Sequence, residues 1–438
     1  KAVYEGETPT KASTELDGVV TNYRFSGWDK QLTNIQEATS FTAVFETYTT
    51  YVCKFVNYDG TLLYKTAVVR NGTATYKGDT PLRDLEESGK NEDGTTDVVS
   101  YKFKGWDKFL TEITAPTTFT ATYDSTSYAG YRVEFRSKDG SEIYHTYTKK
   151  GENAACSYER IKDLISSSYS YDSENVTMFA GWNQSTSDVQ SDLVLTANIA
   201  TISRKQNGEY PQTRVKDDKL ISKLNSITQT DVQGYVSYGG EKYQKYHEND
   251  DNYHWRKVEP IQWRYLSQDG DNVQFVSEKV LDSHVWNQTD HENGIYRNNY
   301  QYSDIRTWLN NDFLEQAFYY DPSLIQTVNV DNSAKSTGDS INPYACEDTQ
   351  DKVYLLSYKD ICNEDYGFMD DASRIAYDAY GNACDYWLRS PLSDSDPDGY
   401  YARCVYDGGN VDGIGDVGCN YYVSLSFGVR PALTRKLD

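Results

Sequence analysis

The chain has 438 residues, of which 38% are hydrophobic and 14% aromatic, enough apolar surface to fold but too much length for one ordinary core. Its 66 acidic against 43 basic side chains leave a formal net charge of -23, which argues against nucleic acid or an anionic membrane as partner. No run of 18 apolar residues is present and the opening KAVYEGETPT lacks the apolar centre of a signal peptide, so the chain reads as a soluble piece whose export signal or anchor lies outside it.

Internal repetition organises the first half. YRFSGWDKQLTNIQEATSFTAVFE around Trp28 recurs as YKFKGWDKFLTEITAPTTFTATYD around Trp106 and, more loosely, as MFAGWNQSTSDVQSDLVLTANI around Trp182. Upstream, VYEGETPTK matches TYKGDTPLR, so the first copy starts midway. Each full copy opens with two alternating runs around a turn, NYDG at Asn57–Gly60 and SKDG at Ser137–Gly140, which predicts a hairpin. A short helix is then expected. In the second copy Thr80 would cap it, Pro81 would take its first position, and Leu82 and Leu85 would form its apolar side; the third offers YERIKDLISS at the same place. The Gly-Trp strand and a final strand close the unit. The Trp after Gly reads as a core filler rather than a sugar-stacking platform.

These copies resemble the internalin-type B repeats, or Listeria-Bacteroides repeats, of bacterial surface proteins, on the strength of Phe25–Trp28, Phe103–Trp106 and Phe179–Trp182. The resemblance implies small β-grasp-like modules over 1–48 (partial), 49–126 and 127–200, acting as a stalk. The third copy departs from the pattern in having Asn183 for Asp and no Thr-Pro step.

From residue 201 the texture changes. Ile305, Trp308, Leu309, Phe313 and Phe318 recur at helical spacing behind Ser303 as a cap, KVYLLSYKDI follows as a strand and a cap, and YWLRSP and GVRPAL enclose a stretch rich in Tyr, Asp, Asn and Gly. Few helices, many short strands and long loops predict an α+β domain over 201–438. The motifs at Tyr210–Gln212, Pro260–Leu266, Ser303–Phe313, Asp351–Ser357, Trp387–Pro391 and Gly428–Leu433 resemble, in order, a family of uncharacterised domains in surface proteins of Gram-positive gut bacteria. That family looks like a branch of the C-type lectin fold, related to the formylglycine-generating, sulfatase-modifying enzymes. The fold class implied is multidomain and β-rich, with tandem small β-grasp-like repeats and a C-terminal α+β C-type-lectin-like domain.

Several motifs bear on chemistry. Gly413–Gly418 spells GxGxxG without the following helix or acidic residue of a dinucleotide site, and reads as a Gly-rich loop. Asp394, Asp396 and Asp398 open a calcium-type loop, but its twelfth position is Val405, so an EF-hand is excluded and a simpler Ca²⁺ site is the remaining metal expectation; no cofactor is required. The seven cysteines include no CxxC pair and are odd in number. Cys53 and Cys156 read as buried thiols, while Cys346, Cys362, Cys384, Cys404 and Cys419 lie close enough in sequence to permit disulfides. The five histidines form no HExxH motif, and Arg389 and Arg430 read as structural ties to backbone carbonyls.

Between the two framework motifs, Tyr400, Tyr401, Arg403, Tyr406, Asp407, Asn410, Asp412, Asp416, Asn420, Tyr421, Tyr422, Ser424 and Ser426 use the vocabulary of paratopes. In the lectin fold this stretch forms the last strands and the ligand face, so the resemblance implies that about 394–427 binds protein or glycan on a host or neighbouring microbe. Certain lectin-fold proteins are also variable targets of diversity-generating retroelements, whose adenine-directed mutation leaves this residue set between constant flanks. The expected function is therefore ligand binding and adhesion at an extracellular cell surface, without nucleic acid and without membrane insertion. Two alternatives stand beside it: a formylglycine-generating-type oxidase of peptide cysteine using Cys404 and Cys419, and a structural surface or filament component.

Overall fold

The computed structural model describes residues 1–247, 253–288, 296–319, 321–393, 399–411 and 420–436. The chain is β-rich, with 42% of it in strands and 14% in helices, and the strands fall into several separate sheets. It divides into two compact units, one of residues 1–88 and 97–128, the other of residues 89–96 and 129–438. No helix among the described residues is long and apolar enough to cross a membrane.

In the first unit, the strand Ala43–Val56 forms an antiparallel hairpin with Leu62–Val69 across the expected turn, where Gly60 takes a positive φ. The same strand runs parallel to Thr117–Thr120, which in turn neighbours Thr96–Trp106. The order is thus second strand, first, last, third. Its core gathers Phe55, Phe119 and Trp106, with Phe55 and Trp106 edge to face at 4.8 Å. The helix expected behind Thr80 is absent: residues 78–85 have no helical turn and lead into the strand Glu86–Lys90. Two leucines give too short an apolar stripe to hold a helix, and the segment is fixed instead by Arg83, whose guanidinium lies over Tyr101 at 3.6 Å and pairs with Glu86. In the third copy Ile161, Leu164 and Ile165 do supply that stripe, and Tyr158–Ser168 is helical.

The third copy repeats the strand order: Glu142–Thr148, the end of Thr117–Arg136, Leu193–Ser203 and Asn175–Trp182, again with a parallel central pair. All three copies share one local device. Gly27, Gly105 and Gly181 stand at φ 145°, 140° and 99°, and the Phe and Trp flanking each pack edge to face at 5.2–5.5 Å. Ladder registers break at the device in the first and third copies, as a bulge requires. Trp28 and Trp106 are half-buried and Trp182 is buried, so the Trp is a packing residue in each.

What distinguishes the third copy is what covers it. Where the earlier copies alternate Arg24 and Ser26, or Lys102 and Lys104, outward, the third has Met178 and Ala180, both buried. They belong to one hydrophobic cluster with Tyr265 and Phe275 of the hairpin formed by Trp263–Asp269 and Asn272–Ser277. Gln268 clasps the joint, accepting from the Trp182 N–H at 2.7 Å and donating to the Trp182 carbonyl at 3.1 Å. A Cβ on Gly181 would stand 2.5 Å from the Gln268 Oε1 atom, so only glycine fits. Arg435 is buried here too, its guanidinium over Trp263 and 3.5 Å from the Met178 sulfur.

The remainder of the second unit holds three larger sheets. A four-stranded antiparallel sheet orders Glu209–Arg214, Tyr253–Pro260, Glu241–His247 and Val236–Tyr238. A second continues the Trp263 hairpin through Ala432–Lys436 to Val353–Tyr354. A third orders Asp282–Val285, Ser426–Val429, Tyr386–Pro391, Tyr401–Val405 and Asn420–Tyr422. The expected helix is found as a continuous turn sequence from Asp304 to Phe318 with a π segment at Leu309–Phe313, and Ser303 caps it. Arg389 and Arg430 are buried ties: Arg389 donates to the Leu355 carbonyl at 2.7 Å and Arg430 to the Ser277 carbonyl at 2.7 Å.

Giving the third copy the second copy's polarity, Met178→Lys with Ala180→Lys, puts one cation beside Arg435 and a second in the same buried cluster, and should cost about 3–5 kcal/mol in urea unfolding. Lys104→Ala, which removes only an exposed pair with Asp124, should stay within about 0.5 kcal/mol. Equal costs at both sites would refute the asymmetry.

Candidate functional site

The four-stranded sheet and the five-stranded sheet meet at Asp282. Its carboxylate accepts from the hydroxyls of Tyr210 and Tyr246, one from each of two strands of the four-stranded sheet, and from the Ser283 N–H at 2.8 Å. Tyr210 is the tyrosine of the Tyr-Pro-Gln motif and is fully buried. Asp282 breaks into an apolar run, with Val280 and Leu281 before it and Val285 and Trp286 after. Above it opens a cleft of about 590 Å³.

One wall is aromatic and cationic: Arg256 lies 3.8 Å above the Tyr246 ring, and Tyr380 stands with Arg256 and Arg214 near its faces at 5.9 and 4.8 Å. Tyr380 is presented by a tight loop in which the Asp378 carboxylate accepts from the Tyr380 and Asn382 N–H groups, with Gly381 at φ 83°. The other wall is framework. Asp385, directly before Tyr386-Trp387-Leu388-Arg389, accepts the Asp407 N–H at 2.8 Å. Its own carbonyl accepts from Gly428, where an added Cβ would stand 2.6 Å from that oxygen. The glycine of GVRPAL is thus a close-approach residue that seals the cleft beside Ser426 and Phe427. Phe427 packs edge to face on Trp387 at 4.8 Å, and the Trp387 indole donates to the His284 carbonyl.

The electrostatics of the cleft are unusual in one respect: among the described residues Asp282 and Asp385 form no ion pair with Lys or Arg, and the basic side chain that acts on Asp282 is His284. Burial raises Asp282 to about 6 against the opposing pull of the Tyr210 hydroxyl, and burial with the charge of Asp407 raises Asp385. The Cys384 thiol beside them is pushed up to about 12, by burial first and then by Asp378, Asp385 and Asp407, so it is not a nucleophile at neutral pH.

The sequence-derived ligand face is distributed differently from expectation. Ser426 lines the cleft, its hydroxyl 2.9 Å from that of Ser283, and Asp407 touches the cleft through its backbone. Tyr401 sits in the strand that pairs with Asn420–Tyr422, and Tyr400 accepts the Val423 N–H. Asn410 and Ser424 are exposed, while Tyr406 packs partly against the core. Arg403 corrects the reading: it is buried, stacked on Tyr358 at 4.4 Å and 3.4 Å from Asp339, a structural residue rather than a surface contact. Asp412, Asp416 and the metal candidates Asp394, Asp396 and Asp398 lie outside the described residues, as do Gly413–Gly418 and Cys419. Cys404 is fully buried, and so are Cys53 and Cys156. Among the described residues no group of three or more His, Cys, Asp or Glu side chains is placed to hold a metal ion.

A family model described as a domain of unknown function, DUF6273, matches residues 271–437. It spans less than half of the chain and includes Asp282, Asp378–Asp385 and Ser426–Gly428, whereas Tyr210, Tyr246 and Arg256 precede it. No curated protein matches the chain.

Because Asp282 holds its proton to about 6 in the folded state against an ordinary 3.8, its contribution favours folding fully below about pH 4 and is lost as pH rises through 6. Asp282→Asn should therefore gain on the parent between pH 4 and 8, by roughly 1–2 kcal/mol after allowance for the solvent that reaches the cleft. Urea unfolding of both proteins at the two pH values checks this, and a pH-independent difference would contradict it.

Proposed function

We propose that the protein is a ligand-binding module of an extracellular bacterial surface protein, with its recognition site in the Asp282–Asp385 cleft. The observation that carries the reading is the cleft itself: a concavity of about 590 Å³ walled by Tyr246, Tyr380 and Phe427 and floored by carboxylates, held by framework motifs on rigid strands. The shared glycine bulge and the strand order with a parallel central pair support β-grasp-like repeats of the internalin type, acting as a stalk. Short strands in separate sheets, long loops and the Ser303-capped helix support a C-type-lectin-like domain. In this reading the stretch at about 394–427 contributes Ser426 and the Asp407 backbone to the cleft, and its exposed Asn410 and Ser424 form an outer rim.

The reading is tested by probing the full chain against arrays of glycans and peptides, beside Tyr380→Ala and Asn410→Ala variants of verified fold. Binding that falls at least about tenfold in Tyr380→Ala and survives Asn410→Ala supports the cleft. The reverse pattern moves the site to the outer face, and no binding by any of the three leaves the structural role as the better account.

A further inference from the structure

Building on the cleft as the recognition site, we propose that it receives a single organic cation, the ammonium group of a lysine side chain on a peptide, between Asp385 and Asp282 and against the Tyr380 ring. Three features of the cleft converge on this ligand. The first is charge imbalance. Asp282, Asp378 and Asp385 face the space with Arg256 as the cation in its lining, its guanidinium 3.8 Å from the centre of the Tyr246 ring. Elsewhere in the same unit, carboxylates at least as buried are paired: Glu278 with Arg264 at 2.9 Å, and the more deeply buried Asp351 with Arg306 at 2.7 Å and Glu209 with Arg204 at 3.0 Å. Carboxylates that line an open cleft without an ion pair to Lys or Arg mark a place where positive charge can be brought from outside.

The second feature is how the carboxylates are held. Asp282 is fixed by two tyrosine hydroxyls and a backbone N–H, and Asp385 by the Asp407 N–H at one oxygen, so both are oriented before any ligand arrives. The third is the wall material. Tyr246, Tyr380 and Phe427 offer ring surface beside the carboxylates, which suits the alkyl stem and weakly hydrated edge of an organic ammonium and gives nothing to a hydrated metal ion. A volume of about 590 Å³ with an open mouth admits a side chain of lysine length and leaves its backbone outside.

The probe is N-acetyl-lysine methylamide, titrated into the full chain and followed by calorimetry, with the uncharged N-acetyl-norleucine methylamide, which keeps the four-carbon stem and lacks the ammonium group, as control. The lysine compound should bind, the norleucine compound should bind at least about tenfold more weakly, and Asp385→Asn, which keeps the acceptor for the Asp407 N–H, should weaken lysine binding about tenfold while the variant still folds. Equal binding of the two compounds, or an unaffected Asp385→Asn variant, would overturn the inference, as would calcium ion binding in place of the amine. A neutral methyl glycoside lost on Tyr380→Ala would overturn the cationic ligand and leave the cleft as the recognition site. Absence of every probe from the cleft would overturn both.

Discussion

A carboxylate drawn out of water must be given hydrogen bonds or a counter-charge, and the C-terminal half of this protein is arranged around one that receives hydrogen bonds and no ion pair to Lys or Arg. Asp282 lies where two sheets meet, and the two phenols that reach it come from different strands of the opposite sheet. The tyrosines pack as rings and end as donors, so the joint is apolar along its length and polar at its tip. Their hydroxyls hold the sheets in register with each other, and the cleft is the space that this register leaves open. Displace either phenol and the floor of the cleft and one wall separate together.

The same half is braced from behind by the third repeat. A repeat module normally shows one face to solvent, and the alternation Arg24-Phe25-Ser26 or Lys102-Phe103-Lys104 is what such a strand needs. Met178-Phe179-Ala180 abandons the alternation because both faces are covered. From the end of this copy the chain passes through the capped turn Arg204–Asn207 directly into Glu209-Tyr210, so the packing that fixes the third copy also sets the position of one of the two phenols. The last repeat is a buttress for the domain that follows it.

Much of this was legible in the residues. The repeated F-x-G-W strands, both hairpin turns, the Ser303-capped helix and the roles of Arg389 and Arg430 follow from period, turn chemistry and donor geometry. Capping signals at Thr80 point to a helix, but the segment lacks the apolar stripe that must hold such a helix down. The loss of alternation in Met178-Phe179-Ala180 was also visible in the sequence and announces a two-sided burial. The cleft was not legible. Asp282, Asp385 and Tyr246 are far apart in the chain, whereas the Tyr- and Asp-rich stretch stands out because its composition resembles a paratope, although composition cannot tell that Arg403 points inward to Asp339 and Tyr358. The one local clue was a carboxylate at position 282 where the strand pattern calls for an apolar residue.

The protein's overall charge of -23 does not by itself make the cleft a cation site. At physiological ionic strength a surface charge is screened beyond about 8 Å, so distant acidic residues raise the rate at which cations arrive more than the strength with which they stay. Retention is decided by the few groups inside that distance. There the distinction between paired and unpaired carboxylates becomes decisive: Glu278, Asp351 and Glu209 have spent their charge on neighbouring arginines, whereas Asp282 and Asp385 have not. Their raised proton affinity and their capacity to hold an ammonium group have the same cause, a negative charge kept in partial burial without an ion pair to Lys or Arg. In the free protein a proton relieves it, and a ligand that brings its own charge competes for that place.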